Sequence, residues 1–385
     1  MRVVFVGHSA GMLGAERSMF DIVSGAVGDG HDVAVVLPTT GPLVAALRGV
    51  GATVLIHPMR AWMGARHWIP PVGAVRVLQA ARTAEGLVTI VRRLQPDVVV
   101  TNTSVIPAGA IAARRLTIPH VWIVRESLRD NPQLRSFLRK RWIAREIIRR
   151  SAALCTISPY VEEQIDELAA TRHPRSFTVS PNPASGAPRT VTEPPPGFAR
   201  TLLLPGFFSR EKGQHLVVLG AFLARRRGEL AKVRIVGRGR GPFTLLLKVM
   251  IRLLGLQSDV QVLPWADDLG EEYAGAHFVM TASRNEAFGR TVVEAFAHGR
   301  PVIGFARGAT TMLLSEGGGL AAHPSSAKGM AVAIARASTM SAAEYDDLRQ
   351  RAVKRGGQFE RGPSQYVAFR SVLHDLEQRS LILSR

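Results

Sequence analysis

Glu286 and Glu294 stand eight residues apart in Ser283-Arg284-Asn285-Glu286-Ala287-Phe288-Gly289-Arg290-Thr291-Val292-Val293-Glu294. The first carboxylate falls in a loop that ends on Phe288-Gly289, the second about two turns into the helix that this loop begins. Both can therefore face one pocket at a helix N-terminus. Unpaired N–H groups and the positive end of the helix dipole meet there, which suits a phosphate-bearing ligand. Carboxylates beside it suit sugar hydroxyls, because an ionised acceptor makes the stronger hydrogen bond. Two glutamates on a solvated helix are the plain alternative. The Ala287-Phe288-Gly289 loop tip and the strand start Gly299-Arg300-Pro301-Val302-Ile303 argue against it.

Other loops carry chemistry at strand ends. Gly206-Phe207-Phe208-Ser209-Arg210-Glu211-Lys212-Gly213 leaves a strand and opens a helix, so its cations can cradle an anion; a solvated basic turn is the alternative. It lacks the Gly-Lys-Ser/Thr order of a Walker loop. Val236-Gly237-Arg238-Gly239 allows close backbone approach, or is simply a tight turn. The loop from Gly7 to Glu16 is glycine-rich but out of register for a dinucleotide fingerprint. His8 and Glu16 there are either site residues or exposed loop polars. Arg125-Glu126 ends a strand and is either a site pair or a surface ion pair. Asn102-Thr103-Ser104 also follows a strand. No zinc-type His/Cys spacing and no nucleophilic triad pattern appears.

The elements that must position these loops alternate. Val3–Val6, Val33–Leu37, Thr53–Ile56, Val98–Thr101, His120–Val124 and Leu154–Ile157 are short and apolar on both faces, as parallel strands are. Helical patterns over 15–27, 72–94 and 158–170 lie between them. Six prolines in the eighteen residues from Ser180 to Gly197 mark a connector. The alternation then restarts, with strands expected over 201–204, 233–236, 260–263, 277–281 and 302–305. Helices are expected over 213–227, 242–254 and 291–298. The fold class is therefore α/β, two doubly wound Rossmann-like domains facing each other across a cleft. The expected boundaries are 1–185 for the first domain, 186–200 for the linker and 201–364 for the second domain. A C-terminal helix over about 365–385 is expected to pack back onto the first domain. In the helix over 242–254, Thr244, Lys248 and Arg252 form a polar stripe, which predicts a surface helix.

Composition narrows the partners. The formal net charge is +19, and Arg129–Arg150 packs eight basic residues against two acidic ones. Such a field favours nucleotide diphosphates, anionic lipid or nucleic acid. Aromatic residues are sparse in the basic patch, which argues against nucleic acid. The single cysteine, Cys155, excludes a disulfide framework within the chain and fits a reducing compartment. The N-terminal run is too short for a signal peptide, and no stretch nears eighteen uninterrupted apolar residues. The expected location is the cytoplasm, with a peripheral position on the inner membrane face open. Arg60–Ile69 and Leu134–Trp142 mix rings with cations, as a membrane-surface segment would, and the second stretch equally fits a domain-surface helix with an apolar face through Ile148.

In this order the pieces resemble a family 4 retaining glycosyltransferase of the GT-B architecture. The likeness covers nearly the whole chain and is strongest from Leu202 to Pro324. It rests on the loop Gly11–Glu16, Ile157-Ser158, Asn182, Gly206 with Lys212-Gly213, Val236-Gly237, the Glu286/Glu294 pair and Gly299 with Pro301-Val302-Ile303. The resemblance implies a hexosyltransferase-type enzyme that is metal-independent and uses no cofactor, the nucleotide-sugar being a substrate. The acceptor would be a hydroxyl, with a lipid-linked or cell-envelope glycan as candidate. Carried onto matching positions, Lys212 holds the diphosphate, Glu294 accepts from the ribose, and Glu286 lies at the transferred sugar. Backbone N–H groups of Phe288, Gly289 and Arg290 lie near sugar or phosphate. Gly14, Gly206 and Gly237 complete the donor side. His8, Glu16, Asn102, Arg125 and Glu126 form the acceptor side. Two slots depart from the family pattern. Phe207 stands where an Arg is usual, with Arg210 as the substitute cation, and Arg125 stands where a His is usual. These departures motivate the alternative of a catalytically silent nucleotide- or glycan-binding protein of the same fold.

Overall fold

Valine-rich runs without polar alternation become strands covered on both faces. In this computed structural model, which describes residues 1–65, 69–180, 191, 200–229, 231–239, 241–266, 268–361 and 364–383, they assemble two parallel sheets. Met1–Pro181 with Pro363–Arg385 form one compact unit, and Asn182–Gly362 the other. Asn182, nearly all of the proline-rich linker, and Arg66-His67-Trp68 lie outside the described residues.

The first unit runs β1 (Arg2–Val6), α1 (Gly14–Gly28), β2 (Asp32–Leu37), α2 (Pro42–Gly49), β3 (Thr53–Ile56), α3 (Val72–Leu94), β4 (Val98–Thr101), α4 (Ala108–Arg115), β5 (His120–Val124), α5 (Lys140–Arg150), β6 (Ala153–Thr156), α6 (Pro159–Ala169) and β7 (Ser176–Thr178). Its sheet order is β3-β2-β1-β4-β5-β6-β7, with parallel pairing. The second unit runs β8 (Arg200–Pro205), a 3-10 turn at Arg210–Lys212, α7 (Gln214–Arg225), β9 (Ala231–Gly237), α8 (Pro242–Leu253), β10 (Val260–Pro264), α9 (Gly270–Ala274), β11 (Phe278–Thr281), α10 (Arg290–Ala297), β12 (Val302–Phe305), α11 (Ala309–Ser315), β13 (Gly319–Ala322), α12 (Ala327–Thr339) and α13 (Ala342–Arg361). Its order is β10-β9-β8-β11-β12-β13, again parallel. The doubly wound class is as the sequence predicts. Strand order reverses between β1 and β4 and again between β8 and β11, and those two switch points are where open α/β sheets bind ligands.

The last helix, α14 (Gln365–Leu383), belongs to the first unit and packs on α1. Its Phe369 lies 5.7 Å from Phe5, ring to ring, so it completes one face of the first sheet together with Met19, Ile22 and Leu37. Val4, Val6, Leu87, Val91 and Val99 fill the other face. Cys155 is buried in β6. No described helix is long and apolar enough to cross a membrane.

Three expectations about surface segments need correction. Trp62 and Met63 are buried, not presented to a membrane: Trp62 stacks on Trp122 at 6.0 Å and donates from Nε1 to the Ser104 carbonyl at 2.7 Å. Leu134 to Ile148 is not one helical face, because α5 begins at Lys140; Leu134 is a buried loop residue, and α5 buries Ile143, Ala144 and Ile147 instead. α8 is the surface helix expected, but its polar stripe is incomplete and its exposed face is not simply polar. Lys248 and Arg252 are exposed, but Thr244 turns inward to the Gly239 carbonyl (3.0 Å), and Leu245, Val249 and Leu253 face outward.

One core histidine gives the first unit a pH signature. His120 is enclosed, paired with Thr101 Oγ1 at 2.8 Å and edge-on to Trp122. Burial drives its pKa from 6.5 down to about 3. The folded form thus excludes a proton that the unfolded chain binds, and stability falls as pH drops below 6.5. Between about pH 6 and pH 5, urea unfolding followed by tryptophan fluorescence should show a steeper loss in the wild type than in His120→Gln, by about 1.2 kcal/mol over that pH unit.

Candidate functional site

The second switch point is built by two loops. After Pro205, which ends β8, Gly206 adopts φ 142° and Phe207 turns outward at 59% exposure. Phe208 turns inward across the turn after β9. A Cβ on Gly237 would meet its ring at 2.3 Å and the Gly206 carbonyl at 2.1 Å, and a Cβ on Gly239 would meet the Phe208 Cβ at 2.6 Å and its ring at 2.9 Å. Those two glycines therefore answer to internal packing rather than to a turn conformation. They bring Gly206 and Gly237 side by side, and Arg238 reaches over the Trp265 ring at 5.7 Å.

Ser209 caps the 3-10 turn by accepting from the Lys212 N–H at 3.3 Å, which sets Lys212 and Arg210 on the loop after β8. Gly213 then takes φ 71°, and a Cβ there would sit 2.2 Å from the Ala282 carbonyl. The loop after β11 passes this close, and Arg284 donates its N–H to the Glu211 carbonyl at 2.9 Å. The result is a contact across 74 residues: Lys212 Nζ lies 3.2 Å from Glu286 Oε2. The other oxygen of Glu286 accepts from the Gly289 N–H at 3.3 Å. Gly289, at φ 92°, caps α10; its carbonyl accepts from the Val292 N–H at 2.9 Å, and the N–H groups of Arg290 and Thr291 have no intrahelical acceptor. Phe288 is buried beneath.

Arg210 is exposed on the same turn. With Arg284 it forms a cationic rim: His215 is pushed below its ordinary pKa by burial first, then by Arg284 and Arg210. Glu294 lies one side of α10. Its Oε2 accepts from the Tyr273 hydroxyl at 3.2 Å and its Oε1 from Arg290 at 3.4 Å. Tyr273 stacks on His298 at 4.5 Å, and burial followed by the Glu294 charge raises its pKa well above 10, so it stays a donor.

Several of these groups carry no recognisable local signal. Tyr273 and His298 orient Glu294 from α9 and the end of α10. Asn285 Oδ1 is buried beside Glu286 with no hydrogen-bond partner among the described residues. Gly308, at φ 60°, underlies Glu286: a Cβ there would meet the Glu286 carbonyl at 2.4 Å, and the same carbonyl accepts from Ala309 N at 2.9 Å.

The first unit gathers the remaining candidates at its own switch point. His8 Nε2 lies 3.9 Å from Glu16 Oε1, and Glu16 is buried in the first turn of α1, not an exposed loop polar. Gly14 begins that helix and is exposed. Arg125 and Glu126 are not a surface ion pair. Arg125 is 7% exposed; its Nε and Nη2 donate to Asn102 Oδ1 at 2.9 and 2.7 Å, and its Nη1 donates to Ser18 Oγ at 2.5 Å. Burial lowers its pKa to about 10. Ser18 continues to Gln365 of α14. Glu126 instead ties the loop after β4, accepting from Thr103 Oγ1 at 2.6 Å and Ser104 Oγ at 2.8 Å.

Residues 194–358 match the family model described as glycosyl transferases group 1, and residues 14–183 match that of the glycosyl transferase 4-like domain. None of the curated proteins matches in sequence. Solved structures align along nearly the whole chain. HepE of Anabaena, in complex with UDP, has 18% identity, covers 98% of this chain and 100% of its own, and superposes with a TM-score of 0.73. Sucrose-phosphate synthase of Thermosynechococcus elongatus has 16% identity, 100% of each chain covered and a TM-score of 0.69. The lipopolysaccharide outer core galactosyltransferase WaaB has 15% identity, covers 97% and 99%, and reaches 0.69. At these identities the structural likeness is one of fold.

Gly308→Ala should strain the turn under Glu286 by about 1–3 kcal/mol. The check is chemical denaturation of the full chain, with the loss appearing in the transition that exposes Trp265.

Proposed function

The chain belongs to the group 1 glycosyltransferases, and on that premise we propose that it transfers a sugar from a nucleotide-diphosphate donor to a hydroxyl acceptor with retention at the anomeric carbon. The observation that carries this reading is the Lys212–Glu286 contact beside the N-terminus of α10. A cation, a carboxylate and unpaired helix N–H groups meet where a diphosphate and a sugar would lie side by side.

The diphosphate replaces Glu286 as the partner of Lys212. The exchange is cheap, because the lysine is 40% exposed and such pairs contribute little, about 0–1 kcal/mol. Glu286, released, orients the sugar or stabilises oxocarbenium character at its anomeric carbon. Asn285 Oδ1, otherwise a buried acceptor left unsatisfied, accepts from a sugar hydroxyl. Glu294, aimed by Tyr273 and Arg290, accepts from the ribose. The acceptor oxygen then bonds to the anomeric carbon on the face from which the diphosphate departs. The anomeric carbon–oxygen bond to phosphate breaks, and the leaving phosphate oxygen takes the acceptor proton. Lys212, with Arg210, stabilises charge on the leaving group and does the work that a metal ion could otherwise do. A lipid-linked or cell-envelope glycan is the proposed acceptor class. HepE is solved with UDP and with UDP-glucose, which makes uridine diphosphate sugars the first donors to test.

Lys212→Ala and Glu294→Ala should each lower kcat/KM at least about tenfold, a loss of about 1.4 kcal/mol or more in transition-state stabilisation. The assay is release of free nucleoside diphosphate over a donor and acceptor panel, with donor binding followed by calorimetry. Turnover near wild type in both variants would remove the roles given to them. Donor binding with no release by the wild type would favour the silent binding protein.

A further inference from the structure

Helix α8 lies on the surface of the second unit, held by Leu247 and Ile251, which are buried. Its outward side carries Leu245 at 64% exposure, Leu246 at 41%, Val249 at 43% and Leu253 at 81%. Positions 245, 249 and 253 follow one another at a spacing of four, so they form a continuous apolar stripe. Lys248 and Arg252, also four apart and exposed, border it along one side and make no ion pair among the described residues. From Leu230 to Ser258 the sequence contains six basic residues and no acidic one.

We propose that α8 docks in the plane of an anionic lipid surface, seating its leucine stripe among the acyl chains and its basic border against the headgroups. Both halves of the pattern select this occupant. The apolar stripe needs a cover, since side chains of this size at such exposure form a contiguous patch. The adjoining cations need an anionic one, and a helix with this division of faces lies in a membrane interface rather than across it. At twelve residues it is about 18 Å long, too short to span. A second copy of the chain fits less well, because two surfaces from a protein of net charge +19 repel. The face shares no residue with the candidate donor site, so failure here leaves the sugar-transfer reading intact.

The test is flotation of the full chain at low salt with vesicles of phosphatidylcholine, alone or with about one-third phosphatidylglycerol. The wild type should float with the anionic vesicles only. The triple variant Leu245→Ser, Val249→Ser, Leu253→Ser and the double variant Lys248→Glu, Arg252→Glu should each bind at least about tenfold more weakly. Both should melt near the wild-type temperature, since the altered side chains already face solvent. The proposal is overturned by absence of flotation, by equal binding to neutral vesicles, or by unchanged binding of the triple variant. A wild-type dimer in sedimentation equilibrium that the triple variant converts to monomer would overturn it too, by assigning the stripe to a second copy.

Discussion

The reversal of strand order between β8 and β11 is the constraint from which the candidate site follows. Neighbouring parallel strands whose connections leave to opposite sides of the sheet open a crevice at their C-terminal ends. Backbone groups there have no ladder partner and turn to side chains or ligands instead. Only this arrangement brings Lys212 and Glu286, 74 residues apart in the chain, within 3.2 Å. The glycines at 213 and 308 serve the same constraint, each standing where a Cβ would strike the facing loop, and a Cβ on Gly289 would strike Leu313 of α11.

Magnitudes separate a loosely paired cation from one locked into the fold. The Lys212–Glu286 pair is partly exposed and therefore weak, so its members can change partners at little cost. Arg125 is its opposite. It is enclosed, with three hydrogen bonds to Asn102 and Ser18, and removing a partner from such a buried charge costs several kcal/mol. Its hydrogen bonds join the loops after β4 and β5 to α1 and, through Ser18 and Gln365, to α14. The same comparison explains Glu126, whose carboxylate is committed to the turn after β4.

Burial decided the segments that were hardest to read. Arg60–Ile69 and Leu134–Trp142 mix rings with arginines, and nothing local distinguishes a membrane-facing ring from a core one. Trp62 went inward because Trp122 and the Ser104 carbonyl lie ready to receive its ring and its N–H. Leu134 went inward from a loop, since no helix forms until Lys140. Conversely, α8 kept leucines outward because its opposite face already satisfies the sheet, and the polar residues counted on it in sequence do not reveal which side is covered.

What the sequence determined by itself is the alternation of apolar runs with helical periods, the proline-rich break and the spacing of Glu286 and Glu294. These are local properties, encoded in side-chain period and in backbone restrictions at glycine and proline. It was enough to specify two doubly wound units and to place the candidate residues at strand ends. Which of those residues meet, and which are enclosed, was settled only in three dimensions. Tyr273 aiming Glu294, Gly308 supporting Glu286 and Arg125 withdrawn into a polar network all depend on partners distant in the chain. Desolvation and pairing act on neighbours in space, and a linear pattern carries no record of them.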